Sequence, residues 1–474
     1  MGGVVNKVAL GCRANSRWSG RGFACAFFGL LLTLEPVAAE TLADALVKTY
    51  QNNPQLNAER ARQRGTDENV PQALSGYRPQ LVASLSAGLQ AVRNVLPDNT
   101  IQSTNLKPWT IGLTVTQVLF NGYKTANNVR VAEFQVKSGR EALRNVEQGV
   151  FLDAVTAYMN VMANYALRDA QKTNVQVLRE IQATTQRRLN AGDVTPTDTA
   201  QAESRLSRGL ADLNAAEVAL AISKQIYSEV IGEPPAGLTA ASPVDRLIPT
   251  TQPASLETAS HEHPAVLGAG YDVDVATTSI KLAESALLPQ LSVQGSVSRQ
   301  VQNDPTLSVQ KEDQASVVGA LSVPIYDGGL AASQTRQAKE VASQSRMVLE
   351  QVRNQARTAV ISAWVSNEGT KVALTATESE VHAAEIALQG VRREAAGGQR
   401  TTIDVLNSQQ DLTNARSRLI GAQRDRVIAS YTLLSAVGRL DTHTLNLSTP
   451  DYSPDVHYHQ VRDAWHGLRT PSGQ

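Results

Sequence analysis

Two halves of this chain are written on one plan. Tyr77-Arg78-Pro79-Gln80-Leu81 is answered 210 residues later by Leu287-Leu288-Pro289-Gln290-Leu291, and Phe120-Asn121-Gly122 is answered 206 residues later by Tyr326-Asp327-Gly328. The second offset then holds, matching Gly192 with Gly398, Asp198 with Asp404 and Gly232 with Gly438. A tandem copy at this spacing means two similar supersecondary units side by side. The four-residue slip falls between two strand-like segments, where a loop absorbs it.

Residues 1–39 read as a secretory signal: Arg13, Arg17 and Arg21 precede an apolar run from Phe23 to Leu34, and Val37-Ala38-Ala39 is a small-residue cleavage site. A membrane anchor is the other reading, but the run falls short of the ~20 residues a spanning helix needs. Cys12 and Cys25, the only cysteines, lie in this segment. The mature chain is thus expected to have no disulfide and no thiolate metal site. Taking Lys7, Arg13, Arg17, Arg21 and Glu35 from 44 basic and 44 acidic side chains leaves 40 and 43, with no basic footprint for nucleic acid. Beyond the signal no apolar run is long enough for a spanning helix, so any membrane passage must be made by strands.

Period-two alternation marks those strands. Leu81, Ala83, Leu85, Ala87 and Leu89 alternate with small or polar residues, and so do Ile111, Leu113 and Val115. In the second copy the series are Leu291, Val293, Gly295, Val297 and Val317, Gly319, Leu321, Val323. Each copy therefore supplies one two-stranded hairpin, with Pro97-Asp98-Asn99 and Asn303-Asp304-Pro305 as turn chemistry. Four strands cannot close a barrel, because an open sheet in lipid leaves backbone groups unsatisfied at several kcal/mol each. If they cross a membrane, several chains must share one barrel. A hairpin pair packed on a soluble domain is the alternative.

After Asn121-Gly122 and Asp327-Gly328-Gly329 the pattern becomes helical. Residues 123–190 would make a helix ~100 Å long. Val341, Val348, Val352, Ala359 and Ala363 suggest a coiled-coil stripe in the second copy. Gly192 and Gly398 close the long helices, and return helices start at Thr195-Pro196-Thr197-Asp198 and Thr401-Thr402-Ile403-Asp404. The expected divisions are a signal at 1–39, a first repeat at 40–232, a proline-rich connector at 233–254, a second repeat at 255–438 and a tail or packing segment at 439–474.

These residues resemble the TolC-like outer-membrane factor family over nearly all of the mature chain. The marks are Asn53-Pro54, Leu288-Pro289-Gln290-Leu291, Pro324-Ile325-Tyr326-Asp327-Gly328-Gly329 and Gly398-Gln399-Arg400-Thr401-Thr402-Ile403-Asp404-Val405-Leu406. The resemblance implies a mainly α fold with a membrane β-barrel portion. Three chains with four β-strands each would form a twelve-stranded barrel, in contact with outer-membrane lipid and continuous with a periplasmic coiled-coil tunnel. It further implies the outer membrane of a Gram-negative bacterium, a homotrimer, a periplasmic adaptor (membrane fusion) protein and an inner-membrane ABC transporter, with no cofactor. The chain looks closest to exit ducts of type I secretion systems for repeat-in-toxin proteins such as an adenylate cyclase haemolysin, whose release brings haemolysis and cytolysis. Drug efflux is the alternative transit function.

By the same resemblance Asp404 occupies a ring position at the periplasmic tip, where three copies would form an anionic constriction. Asn407 stands where a second Asp ring can occur. Arg400 matches the basic member of the closing network, Thr197 and Asp198 match its partners, and Ala395 replaces a tyrosine. Helix capping is the other reading of Asp198 and Asp404. An enzyme is disfavoured: His261-Glu262-His263 resembles a metal pair, but His263 fills the place of Asn53 before the repeated proline, and no ligand set for zinc is spaced around it. A periplasmic coiled-coil adaptor is a further alternative, opposed by the membrane-length strand pairs.

Overall fold

The computed structural model describes residues 40–302 and 310–471, so the signal reading and the turn expected at Asn303-Asp304-Pro305 lie outside the described residues. The first copy opens with α1 (Leu42–Asn52), α2 (Pro54–Asp67) and α3 (Asn69–Leu74). It continues through strands β1 (Gln80–Ala87), β2 (Gln90–Val95), β3 (Ile101–Leu106) and β4 (Trp109–Asn121) to the long helix α4 (Lys124–Asn190) and the return helix α5 (Pro196–Ile231). The second copy runs α6 (Gln252–Glu262), α7 (Pro264–Glu284), β5 (Gln290–Val301), β6 (Lys311–Ser322), α8 (Leu330–Ala396) and α9 (Thr402–Val437), followed by α10 (Pro454–Val461). Both long helices have 67 residues and both return helices have 36, so the duplication is kept to the residue.

The first hairpin holds more than the alternation implied. β1 and β4 pair as expected, but the chain breaks at Gly88-Leu89 and again at Lys107-Pro108, and β2 and β3 form a separate two-stranded ribbon. Its turn uses Asn99 at φ 64°, a left-handed residue inside the predicted Pro97-Asp98-Asn99 turn. Proline has no N–H to continue the ladder past Trp109, which is where the main sheet ends. That sheet has the order β1-β4-β5-β6, antiparallel throughout, with β1 and β6 as its edges.

The helices keep the lateral order of the strands. α4 packs on α1, α2 and α3 near the sheet and on α5 further away; α8 packs on α6 and α7, then on α9. α7 and α9 also lie against α4 and join the copies. Two stacking points repeat. Asn53 caps α2 by accepting from Gln55 and Leu56 N–H at 2.9 and 3.1 Å, and its amide donates to Val230 carbonyl at the end of α5. His263 caps α7 through Nδ1, which accepts from Ala265 N–H at 3.2 Å. Burial, assisted by Arg144, pushes the His263 pKa down and keeps the ring neutral, as an acceptor must be.

The core is a belt at mid-height. Tyr158, Phe151, Tyr227, Leu46, Leu433, Leu434 and Leu440 are fully buried there, with Ile248 of the connector against them. Tyr158 hydroxyl reaches the carbonyls of Glu40 and Thr239 at 2.9 and 2.6 Å, tying the start of the described chain and the connector to α4. The C-terminal segment is a strap over the first copy. His457 Nδ1 meets buried Asp67 at 3.0 Å, Asp455 meets Arg140 at 2.7 Å, and Tyr452 N–H donates to Tyr50 hydroxyl at 2.9 Å.

The stripe expected on α8 splits in two. Ala342, Ala356, Val360 and Ala363 are buried against neighbours, whereas Val341 and Val348 are each 45% exposed. α8 buries 8 of its 67 residues against 19 for α4, because α4 has helices on both flanks and α8 on one. The duplication makes the difference specific: exposed Ile361 and Val365 correspond to Val155 and Met159, which are buried in α4.

Two outcomes follow for the belt. Gly438 ends α9 at φ 91°, and a Cβ there would sit 2.7 Å from His263 Cα, whereas Gly398 at φ 74° has open space around it. Gly438→Ala is expected to cost about 2–3 kcal/mol and Gly398→Ala about 1 kcal/mol, read from thermal unfolding in detergent. Glu147 on α4 lies beneath the strap, and desolvation, reinforced by Asp441, pushes its pKa up to about 7. Its folded pKa exceeds the unfolded one, so the penalty is absent below pH ~4.5 and complete once pH passes the folded value. Glu147→Gln should therefore raise the unfolding midpoint at pH 8 and leave it unchanged at pH 4.

Candidate functional site

The first functional element is the sheet, whose two faces differ in chemistry. Directly paired residues share a face. One face carries the rows Leu81–Val115–Gly295–Val317, Ala83–Leu113–Val297–Ala315 and Ala87–Trp109–Val301–Lys311. The other carries Val82–Thr114–Ser296–Ser316, Ser84–Gly112–Ser298–Gln314 and Ser86–Thr110–Gln300–Glu312. The apolar face is bare: Leu81, Leu85, Ile111 and Val317 are all exposed. Trp109 stands at one end of it, and Phe120 and Tyr123, in edge contact at 5.3 Å between ring centroids, stand at the other. Along a strand tilted by ~40° these aromatic ends lie roughly 25–30 Å apart, the height of a lipid-facing band with its two girdles. The polar face is small and hydroxyl-rich, with Ser296 and Ser316 hydroxyls 2.9 Å apart. It suits a water-filled lumen.

One charged pair breaks the apolar face. Arg299 and Asp313, in the row Leu85–Ile111–Arg299–Asp313, form a two-pronged ion pair at 2.5 and 2.8 Å. It sits one row from the Trp109 end, where the polar headgroups of a bilayer begin, so neither charge has to cross the hydrocarbon.

The second element is the pair of helical turns at the far end. Thr195 and Asp198 form a complete capping box: Asp198 Oδ2 accepts from Thr195 N–H at 2.9 Å and from its hydroxyl at 2.8 Å. Thr401 and Asp404 repeat it at 3.0 and 2.8 Å. The Thr401 backbone N–H, then its hydroxyl, holds the Asp404 carboxyl below the usual carboxylate range, and Thr195 does the same for Asp198. Both groups are therefore ionised near neutral pH. Their Oδ1 atoms accept no hydrogen bond among the described residues, so capping leaves half of each carboxylate available.

Within one chain the other expected tip residues are placed apart. Arg400 Nε donates to Glu394 at 2.9 Å across its own turn, rather than to Thr197 or Asp198. Thr197 is exposed and has no side-chain partner among the described residues. Asn407 accepts from Arg205 Nη2 of α5 at 2.9 Å, which joins the two return helices. Ala395 lines a cleft of 260 Å³ with Ile181, Thr184, Arg188, Thr402 and Val405, the space that a larger side chain would fill.

A buried polar chain at this level was not legible beforehand. Arg392 Nη2 donates to Gln409 Oε1 at 3.0 Å, Gln409 Nε2 donates to Asn174 Oδ1 at 3.2 Å, and Thr413 hydroxyl donates to the same oxygen at 3.1 Å. It links α8, α9 and α4 across the copies. Neutral amides with no motif around them give no signal in a sequence. No group of three or more His, Cys, Asp or Glu side chains able to hold a metal occurs among the described residues. No described helix is long and apolar enough to cross a membrane.

Comparison with known proteins agrees with this geometry. The chain is 38% identical over 446 residues to the outer membrane efflux protein BepC of Brucella suis, covering 94% of this chain and 96% of that one. It is 23% identical to the alkaline protease secretion protein AprF of Pseudomonas aeruginosa, covering 89% of each. Its fold is similar to the Campylobacter jejuni CmeC outer membrane channel, with a TM-score of 0.76 at 15% identity and 89% of each chain covered. Residues 45–232 and 256–439 both match the outer membrane efflux protein family, the two segments falling one on each copy. Matched by the family over both copies and sharing its two-faced sheet and long helical hairpins, the chain belongs to that family, whose members are TolC-like efflux and secretion channels of the Gram-negative outer membrane rather than enzymes.

Proposed function

We propose that three copies of this chain form one conduit, the exit duct of a type I secretion system. An inner-membrane ABC transporter and a periplasmic adaptor deliver an exported protein to it. The observation that carries this reading is the double mismatch between the chain's flanks. β1 and β6 are sheet edges, and α8, which packs on fewer helices than α4, exposes Val341, Val348, Ile361 and Val365. The return helix α5 exposes Leu210, Val218, Ile222 and Ile226. Two different surfaces that complement each other make a head-to-tail contact, which closes into a ring when the rotation per copy divides a full turn. Three chains of four strands each meet the barrel requirement that one chain fails.

A lumen lined mainly by Ser, Thr, Gly and Gln, with Glu312 as the charge in its paired rows, offers hydrogen bonds with little charge, which suits a sliding unfolded polypeptide. A toxin of the repeat-in-toxin class is the cargo we favour. Drug efflux is the second reading, favoured by the 38% identity to a protein named for efflux. Loss of the gene should abolish secretion of the cargo and leave drug sensitivity unchanged; the reverse outcome assigns the chain to efflux.

At the tip we propose that Asp404 lines an anionic ring, that Arg400, Thr197 and Asp198 take part in closing it, and that the Asn407–Arg205 bond stiffens it. Asp404→Ala should lower cation preference and cation block in planar bilayers, while Arg400→Ser should raise the open fraction. Arg205→Ala should raise the open fraction without changing ion preference. Unchanged conductance and block in all three would remove these residues from the gate.

A further inference from the structure

The C-terminal strap does not end at the belt but climbs to the sheet. α10 is fastened by His457 on Asp67 and by Asp455 on Arg140, and Val461 is buried at its end. The chain then reaches Arg78, whose Nη1 donates to Ala464 carbonyl at 2.7 Å and whose guanidinium lies over the Trp465 ring, 4.7 Å from its centroid. Beyond this seat Gly467 turns the backbone at φ 121°.

The strand register gives the height of the seat. Gln80 pairs with Thr116, so two further residues bring Arg78 level with Val118, and β4 runs on past that level to Asn121. Gln117 Nε2 donates to Tyr77 carbonyl at 3.2 Å, which holds the chain at this height. Trp465 therefore stands at the height of Phe120 and Tyr123, the aromatic end of the lipid-facing band. The long helix α4 starts from that end, so it is the periplasmic one.

We propose that residues 462–471 form an interfacial anchor on the periplasm-facing leaflet of the outer membrane. Trp465 and Leu468 enter the headgroup and upper acyl region, and Arg469 meets lipid phosphate. The anchor is independent of the cargo and of the tip.

Three observations carry it. First, Trp465 is 69% exposed and Leu468 fully so, although the strap leading to them is closely packed. Single apolar residues on a surface need no explanation. A tryptophan at the edge of a hydrocarbon band is different, because its amphipathic ring is favoured at that interface.

Second, the duplication shows what the seat replaces. At the 210-residue offset Tyr77 and Arg78 correspond to Leu287 and Leu288, so the first copy puts a cation where the second puts leucine. Trp465, carried on that cation, returns apolar bulk to the position. Third, the charges suit a phospholipid surface. Arg462 and Arg469 outnumber Asp463 in the segment, and Arg78 adds a further cation beside it. Apolar side chains flanked by cations are the pattern of a segment that lies in an interface.

The test is probe depth for the full chain in vesicles of phosphatidylethanolamine and phosphatidylglycerol. One sample carries a polarity-sensitive dye on Leu468→Cys, an exposed position where folding is not at stake; the natural cysteines, Cys12 and Cys25, both precede the described residues. In a second sample Trp109→Phe and Trp364→Phe leave Trp465 as the emitter among the described residues. The dye should shift to the blue on reconstitution. Lipids brominated near the headgroup should quench both probes several-fold more than lipids brominated near the chain ends. Arg78→Ser should cut the quenching of Trp465 several-fold, and unchanged quenching there overturns the seat. Probes that aqueous iodide reaches and brominated lipid does not overturn the anchor. Probes exposed in vesicles yet shielded in native outer membranes also overturn it, by assigning the segment to a protein or wall polymer of the envelope.

Discussion

Backbone groups in hydrocarbon have no water to turn to, and the rest of this molecule follows from that constraint. β1 and β6 each present a row of N–H and C=O groups on an edge of a sheet whose apolar face is built for lipid. Each unsatisfied group would cost several kcal/mol, more in total than the marginal stability of a folded chain can offset. The edges must therefore be joined to other edges. A second copy brings the complementary edge at no cost in sequence information, and repetition closes the ring.

The same incompleteness runs down the helices. α4 and α8 are equal in length and descend from one plan, yet α8 leaves bare what α4 buries. Strands and helices are thus both unfinished in one chain. The belt of Tyr158, Phe151, Tyr227 and Leu434 gives each chain a core of its own before partners arrive, and the connector and strap are tied to it.

Much of this was legible in the sequence, for identifiable reasons. The offsets linking Phe120-Asn121-Gly122 to Tyr326-Asp327-Gly328 and Asp198 to Asp404 located both long helices and both turns, because glycine and proline at junctions are backbone requirements. The alternation from Leu81 and Leu291 located the main strands. The β2–β3 ribbon was missed because the alternation runs through Gly88-Leu89 without a change in composition, and only the chain's geometry shows the break. Val341 and Val348 were assigned to one stripe with Ala363 because periodicity reports a face but not which neighbour covers it. At the tip, Asp198 and Asp404 cap their return helices through one carboxylate oxygen each, which leaves the other oxygen for the proposed lining role. Arg205, Glu394 and the Arg392–Gln409–Asn174 chain carry no motif, and their roles depend on helix pairing that a sequence does not display.

The central claim is that one chain is a third of a functional unit. The most direct measurement is the mass of the particle extracted from outer membranes in mild detergent, by native mass spectrometry with the detergent stripped. The account predicts a single species of three chains that persists on dilution. A monomer, or a dimer as the stable species, would contradict it, because neither can satisfy the edges of β1 and β6 around one pore.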